Sequence, residues 1–486
     1  MNKNILCLVV SLLLCSAFLS AQSLRTSSMG GMNLVVKDAD NTFSLYDFGR
    51  NPAWLVKDET ADVLKIIPGS KFSSGQYKRK YDPSEISAYG IVFDGIKSLG
   101  ELGTFRGYTS YDVEYHDDIY GSLRRFTYGG DAFFLADTNR GGFRYNGPTV
   151  NFMYSLEILP NLYAGASLSY QLIEGLKDVY SRAQSLIRRI GGNIGIAYQP
   201  SDNFSVGLSY EPNELQERIE SKSEDLMDVE LFLFRGETYS FKRRGSSVNY
   251  KSKNLTQNYS GQFNYKVSDN IEVAGKGTYS LGNTKIIIPS GAIKEYEEGY
   301  ASFDGVDAQL VSRIEPFKNT LIGLKAGYFI GSSWSKHSGR ELLLWEWEVN
   351  GFSAGTGFSY YFVPNILLAG VEYHFQNTKS DSSKYIDNRF QKIESNNHLF
   401  KTGLEYVASE IITVRAGFSY GMKEYDLIFG GKDVTYTAVT GGAGLNLIKD
   451  ALIDILIEYA LQKPDEPVNL KKTFFSGFIS LKLLTF

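Results

Sequence analysis

Apolar and small or polar residues alternate with period two in six stretches of this chain, and each stretch ends on a tyrosine. They are NLYAGASLSY from Asn161, NFSVGLSY from Asn203, NIEVAGKGTY from Asn270, NTLIGLKAGY from Asn319, NILLAGVEY from Asn365 and IITVRAGFSY from Ile411. In the first, Leu162, Ala164, Ala166, Leu168 and Tyr170 share one face, while Tyr163, Gly165, Ser167 and Ser169 share the other. Period two predicts strands with one apolar side. Short turns precede them, at 159–161, 200–203, 267–270, 316–319, 363–365, 408–410 and 448–450, and another alternating run leads into each turn. The repeating unit is therefore strand, short turn, strand, longer loop.

About 9–11 residues separate turn from tyrosine, the length of a tilted strand crossing a bilayer. The pattern predicts an all-β fold, an antiparallel transmembrane barrel of about 16 strands within a range of 14–18. A soluble sandwich also alternates, but its strands are shorter and it has no reason for one-sided short turns. Tyr170, Tyr210, Tyr279, Tyr328, Tyr373 and Tyr420 form the expected outer aromatic girdle, and Tyr198, Tyr361 and Tyr406 help to form the inner one. The first wall strand is expected in Arg124–Thr138. Segments near 62–68, 86–93 and 104–116 add a hairpin or sit inside the barrel.

Composition sharpens this picture. Tyrosine (33), phenylalanine (31) and glycine (48) are abundant and proline (12) is sparse, a mixture of strands and tight turns. Lys3, the apolar run Ile5–Leu19 and Ser20-Ala21-Gln22 read as a secretory signal over residues 1–21. Both cysteines, Cys7 and Cys15, fall in it, so the exported chain has no thiol for a disulfide, a nucleophile or a metal. Without Lys3 the balance is 49 basic against 54 acidic residues, a net of −5, which gives no footprint for nucleic acid. No later run of some 18 apolar residues offers a membrane helix. The terminal Phe486 is the expected assembly signal for the barrel assembly machinery, with a bulge near Leu483 and Leu484 to reconcile the facing of the last residues.

Ahead of the barrel, the spacing of Gly30-Gly31, Asp38-Ala39-Asp40 and Asn51-Pro52-Ala53 resembles the N-terminus of the FadL-like superfamily of outer-membrane barrels. That group includes long-chain fatty-acid transporters and PorV-like shuttle proteins. The resemblance implies a hatch over residues 22–60 folded into the lumen of a barrel over 61–486. In the transporters an apolar ligand is caught by outer loops, passes the hatch and leaves sideways through a kinked strand. Two features depart from the family: its barrels have fourteen strands, and Trp54 stands where the transporters more often have glycine.

Gly30, Gly31, Asp38, Asp40, Asn51, Pro52 and Ala53 are the candidate hatch residues, with Asn51-Pro52-Ala53 read either as a tight turn bonded to neighbouring backbone or as a cap on the first strand. Leu231, Phe232, Leu233 and Phe234, in the loop from Glu211 to Tyr259, are a candidate apolar capture patch or a strand extension. Glu272, Lys276, Lys325, Glu372, His374, Arg415, Asp454 and Glu458 fall on the lumenal parity, to pair across strands, fix the hatch or line an ion path. Trp345 and Trp347, alternating with Glu346 and Glu348, read as an outer rim at the interface. Gly129-Gly130 and Gly191-Gly192 interrupt strand patterns, as bulges, hatch contacts or a lateral opening do. No HExxH, GxSxG or phosphate-loop pattern occurs, so an enzyme, a metal and a cofactor are not expected. Hatch-gated passive transport of hydrophobic or amphipathic molecules is the leading reading, with outer-membrane lipid and a small apolar ligand as partners. A scaffold docking partner proteins and an ungated porin are the alternatives.

Overall fold

The computed structural model describes residues 24–36, 48, 50–58, 62–119, 122–137, 139–222, 228–290, 294–448 and 450–484. The signal segment, Asp38, Asp40 and Phe486 lie outside them. The wall begins with β1 (Val63–Gly75), β2 (Glu85–Ser98) and β3 (Thr104–Ile119). After β4 (Phe133–Ala136), which lies off the wall, come β5 (Gly141–Leu159), β6 (Leu162–Lys177), β7 (Gln184–Ser201) and β8 (Phe204–Lys222). A second off-wall element, the hairpin of β9 (Val229–Arg235) and β10 (Tyr239–Gly245), precedes β11 (Ser247–Ser268) and β12 (Ile271–Ser290). Then follow β13 (Lys294–Ile314), β14 (Thr320–His337), β15 (Leu342–Val363) and β16 (Leu367–Lys384). The last are β17 (Arg389–Val407), β18 (Ile412–Tyr425), β19 (Lys432–Ile448), β20 (Ala451–Lys463) and β21 (Lys472–Leu483).

Every wall strand pairs antiparallel with its wall neighbours in chain order, and β21 pairs with β1, closing an 18-stranded barrel. The count exceeds the expected 16 by a traceable amount. The segments near 62–68, 86–93 and 104–116 are three wall strands, whereas Arg124–Thr138 supplies none. The reason lies in FFLA, Phe133 to Ala136, whose four side chains are all buried. A wall strand facing lipid on one side and a lumen on the other alternates; one packed on both faces does not.

The recurrent turn asparagine has a backbone role. Asn161, Asn319 and Asn365 sit at φ of 62°, 70° and 59°, a left-handed conformation that asparagine tolerates better than most residues. The tight turns fix the register, and the register fixes the faces. Leu168, Leu208 and Val371 point outward at 59%, 61% and 52% exposure, while Gly165, Gly207 and Glu372 on the same strands point inward. Among the described residues no helix is long and apolar enough to cross a membrane. The wall crosses instead, because a closed barrel satisfies every ladder group and leaves no edge in the lipid. The chain is an integral outer-membrane barrel.

The strands outrun the bilayer. β11 and β15 have 22 residues each, about twice what a crossing needs, so the wall continues outward on the side of the long loops. β21 keeps one register against β20 up to Leu483, so the expected bulge is not at Leu483. Its ladder to β1 lapses instead between Leu481 and Phe478, opposite Pro68, which has no N–H to give.

Candidate functional site: the lumen and its two inserts

Two separate pieces of chain occupy the lumen. The inner one comprises the described residues of 24–36 and 48–58 and meets the wall near the short turns. A 3-10 turn, Pro52–Trp54, is capped by Asn51, whose Oδ1 accepts from Ala53 N at 3.0 Å. Asn51 Nδ2 then donates to Ile196 O and Leu208 O, both at 3.1 Å, two carbonyls facing each other across β7 and β8. Ala53 O accepts from Ser155 Oγ at 2.9 Å, and Trp54 Nε1 donates to Gln262 Oε1 at 3.2 Å. The wall has glycine where the turn lands. A Cβ on Gly195 would stand 1.9 Å from Asn51 Oδ1, and one on Gly165 2.4 Å from Pro52 C.

The N-terminal half of this insert is held in the same way. Gly30 N donates to Thr440 Oγ1 at 3.0 Å, Gly30 O accepts from Ser419 Oγ at 2.9 Å, and Gly31 O accepts from Lys401 Nζ at 2.7 Å. Both glycines have positive φ, 73° and 69°. Arg25 reaches Glu405 with Nη2 at 2.6 Å and Nε at 2.8 Å, and Arg415 joins Glu405 at 2.8 Å to Asp454 at 2.7 Å. Glu372 Oε1 accepts from Leu34 N at 2.7 Å and Val35 N at 3.2 Å, while its Oε2 faces His374 Nε2 at 3.0 Å.

The outer insert joins the loop from β3 to β5 with the β9–β10 hairpin, and meets the wall at its loop-side end. β4 pairs with β9 in a three-stranded sheet lying across the mouth. Arg124 Nη1 donates to Asp131 at 2.8 and 3.0 Å and to Phe133 O at 2.7 Å, and Glu217 of β8 receives Arg125 N at 2.8 Å. Burial works against the charge of Arg124, but Asp131 and Glu217 outweigh it and raise its pKa far above the ordinary value. Lys177 Nζ and Asp137 meet at 2.6 Å, both almost wholly buried. At the far wall, Asp387 Oδ1 accepts from Glu237 N and Thr238 N at 2.7 and 2.9 Å, clasping the hairpin tip. Among the described residues, 25 buried apolar side chains form one cluster around this insert, against clusters of eight and five at the inner one.

Several expected positions land elsewhere. Leu231, Phe232, Leu233 and Phe234 lie in β9, where Leu231 and Leu233 are buried in the outer cluster and Phe232 and Phe234 are half-buried. Trp345 and Trp347 are buried, facing the same cluster instead of an outer rim. Tyr361 points inward beside Arg25, so Tyr360 and Phe362 take the outward places near that turn. Gly129 and Gly130 lie in the insert loop, lining a small gap with Phe303 and Trp347, whereas Gly191 and Gly192 are in β7. The ladder of β7 and β8 skips Gly192, which faces Pro212, without a change of register.

The lumenal residues divide by task. Glu372, His374, Arg415 and Asp454 gather around the inner insert. Glu272 accepts from Asn264 at 2.7 Å and Glu458 from Ser476 at 3.2 Å, both bonds across the wall. Lys276 lies 6.0 Å from the Phe48 ring, and Lys325 is half-buried on the inward parity. Tyr170, Tyr279 and Tyr328 are exposed outward, as are Tyr198 and Tyr406; Tyr210, Tyr373 and Tyr420 are half-buried on the same face. Arg124, Asp131, Glu217, Asp137, Lys177 and Asp387 escaped the sequence reading. For Glu217 and Lys177 the signal was present, since both continue the inward parity of their strands.

A family described as "Family of unknown function (DUF6850)" matches residues 52–344. The chain belongs to that family. The DUF6850 match runs from the Pro52 turn into β15, taking in the outer insert. No curated protein matches the chain. Among solved structures it is similar to the toluene transporter TbuX of Ralstonia pickettii, with 13% identity, 96% of this chain and 99% of that one covered, and a TM-score of 0.36. It is also similar to a FadL homologue of Pseudomonas aeruginosa (13%, 95% and 98%, 0.36) and to the siderophore receptor PiuA of Acinetobacter baumannii (9%, 87% and 82%, 0.41).

Proposed function

We propose that this chain is a passive outer-membrane transporter of hydrophobic or amphipathic small molecules, gated by residues 22–60 acting as a hatch. The observation that carries the reading is the seat of the inner insert. It rests on wall glycines, held by single hydrogen bonds and one ion-pair cluster, and a displaced insert leaves a wall whose own ladders are intact. A filled barrel with no moving part has no need of a seat cut to fit a separate segment. A second reading, a scaffold that docks partner proteins, draws support from the outer insert, which an apolar core and buried ion pairs tie permanently to the mouth of the barrel.

The test is conductance and liposome swelling for the exported chain and for a chain lacking 22–60. Transport predicts a closed parent and an open deletion, with swelling selective for amphipathic solutes. A parent that conducts by itself makes the protein a porin. Two silent proteins, with a partner that co-purifies in stoichiometric amount, favour the scaffold.

A further inference from the structure

The outward face above the tyrosines carries a feature that transport does not use. Arg188 of β7 stands opposite Gln216 of β8, Gln216 opposite Lys253 of β11, and Lys253 opposite Lys285 of β12. Lys285 faces Tyr300 of β13, and Tyr300 faces Lys336 of β14. One row of register partners thus sets four cations in line across six neighbouring strands, two of them directly opposite each other. All are on the outward parity, shared with the exposed Tyr259, Tyr279 and Tyr328.

The pair Lys253–Lys285 is the anomaly. Like charges directly opposite each other in a sheet destabilise it. Five strands further round the wall the rule is obeyed: Lys379 faces Glu394 at 3.1 Å and Lys392 faces Asp381 at 2.7 Å. In the row, Arg188 has Glu214 at 3.6 Å and Lys285 has Glu297 at 3.5 Å, while Lys336 lies 4.7 Å over the Trp334 ring. Lys253 has no ion-pair partner among the described residues. A ligand bearing concentrated negative charge removes the anomaly.

Height selects the ligand. Tyr259 and Tyr279 face each other, and Lys253 and Lys285 face each other six residues further out. At about 3.3 Å per residue and a tilt of some 40°, that is roughly 15 Å above the girdle. Phospholipid headgroups occupy only about 5–8 Å on each side of the hydrocarbon, so their phosphates lie too low. We infer that the row Arg188, Lys253, Lys285 and Lys336 binds the phosphorylated saccharide of an outer-leaflet glycolipid. Arg188 and the three lysines hold phosphate, and Gln216 and Tyr300 offer hydrogen bonds to the sugar.

The experiment titrates delipidated full chain in detergent with lipopolysaccharide phosphorylated on its saccharide core and follows binding by native mass spectrometry. The Lys253→Gln/Lys285→Gln chain is expected to bind about thirtyfold more weakly, from roughly 1 kcal/mol per cation at an anionic surface. Lys253→Arg/Lys285→Arg retains binding. Without lipid, the glutamine variant melts no lower than the parent, because the repulsion is gone. Equal binding by parent and glutamine variant overturns the inference, as does equal binding of the same lipopolysaccharide with its core dephosphorylated. So does equally good competition by phosphatidylglycerol or inorganic phosphate, and so does a glutamine variant that melts lower without lipid.

Discussion

The two inserts fill one lumen by different physics. The outer is knit into a large apolar cluster, with charges such as Arg124, Asp131 and Glu217 sealed inside it. The inner is laid on the wall by directional bonds, two of them from a single asparagine, over glycines that leave no room for anything else. Burial is non-directional and strong in sum, so it makes a lasting core. A hydrogen bond contributes only about 0.5–1.5 kcal/mol net, but its direction makes the fit specific. One end of the barrel is held by a packed core and the other by a bonded seat.

That contrast breaks first at Arg124. Arg124→Ala leaves Asp131 buried and uncompensated, and the outer insert loses about 3–5 kcal/mol, read by urea titration of the fluorescence of Trp345 and Trp347. An outer transition unmoved by this change ends the idea that buried charge anchors that insert. Leu233→Ala, in the same cluster, is expected to lower the same transition by about 2–5 kcal/mol while Trp54 at the inner end reports nothing. If Trp54 follows, the inserts are one cooperative unit and the comparison fails.

At the inner end, Asn51→Ala removes both donors to β7 and β8 and weakens the seat by about 1–3 kcal/mol. Faster proteolysis of the N-terminal segment at an unchanged wall melting temperature is the expected sign, and a wall that melts with it contradicts a separable closure. Glu394→Gln, in an exposed pair on the outer wall, is expected to leave the melting temperature of the wall and both inserts unchanged.

The wall was legible because alternation is a local signal: Leu168, Leu208 and Val371 announce their face from their own neighbours. The outer insert was not, because β4 and β9 pair across a long separation, with Phe133 opposite Arg235, and FFLA and LFLF each read as an apolar run with no visible partner. Trp345 and Trp347 show a different kind of failure. The preference of tryptophan for interfaces suggested the outward face, yet counting back from Phe352 and Phe358 puts both odd positions inward. Parity within the strand was the stronger rule. The same count puts Tyr361 inside. Of the inner insert, Gly30, Gly31 and Asn51-Pro52-Ala53 were visible as a spaced motif, but nothing in them foretold Gly165, Gly195 and Gly207 as their landing places, which only the curled wall brings together.

The seam between β1 and β21 joins the two ends of the wall, Leu64 to Leu483, so its loop-closure entropy is the largest of any ladder in the barrel. It therefore zips last. Its ladder, interrupted opposite Pro68, holds fewer paired residues than the ladders on either side, so the seam that must close over the longest stretch of chain is also less fully bonded than its neighbours.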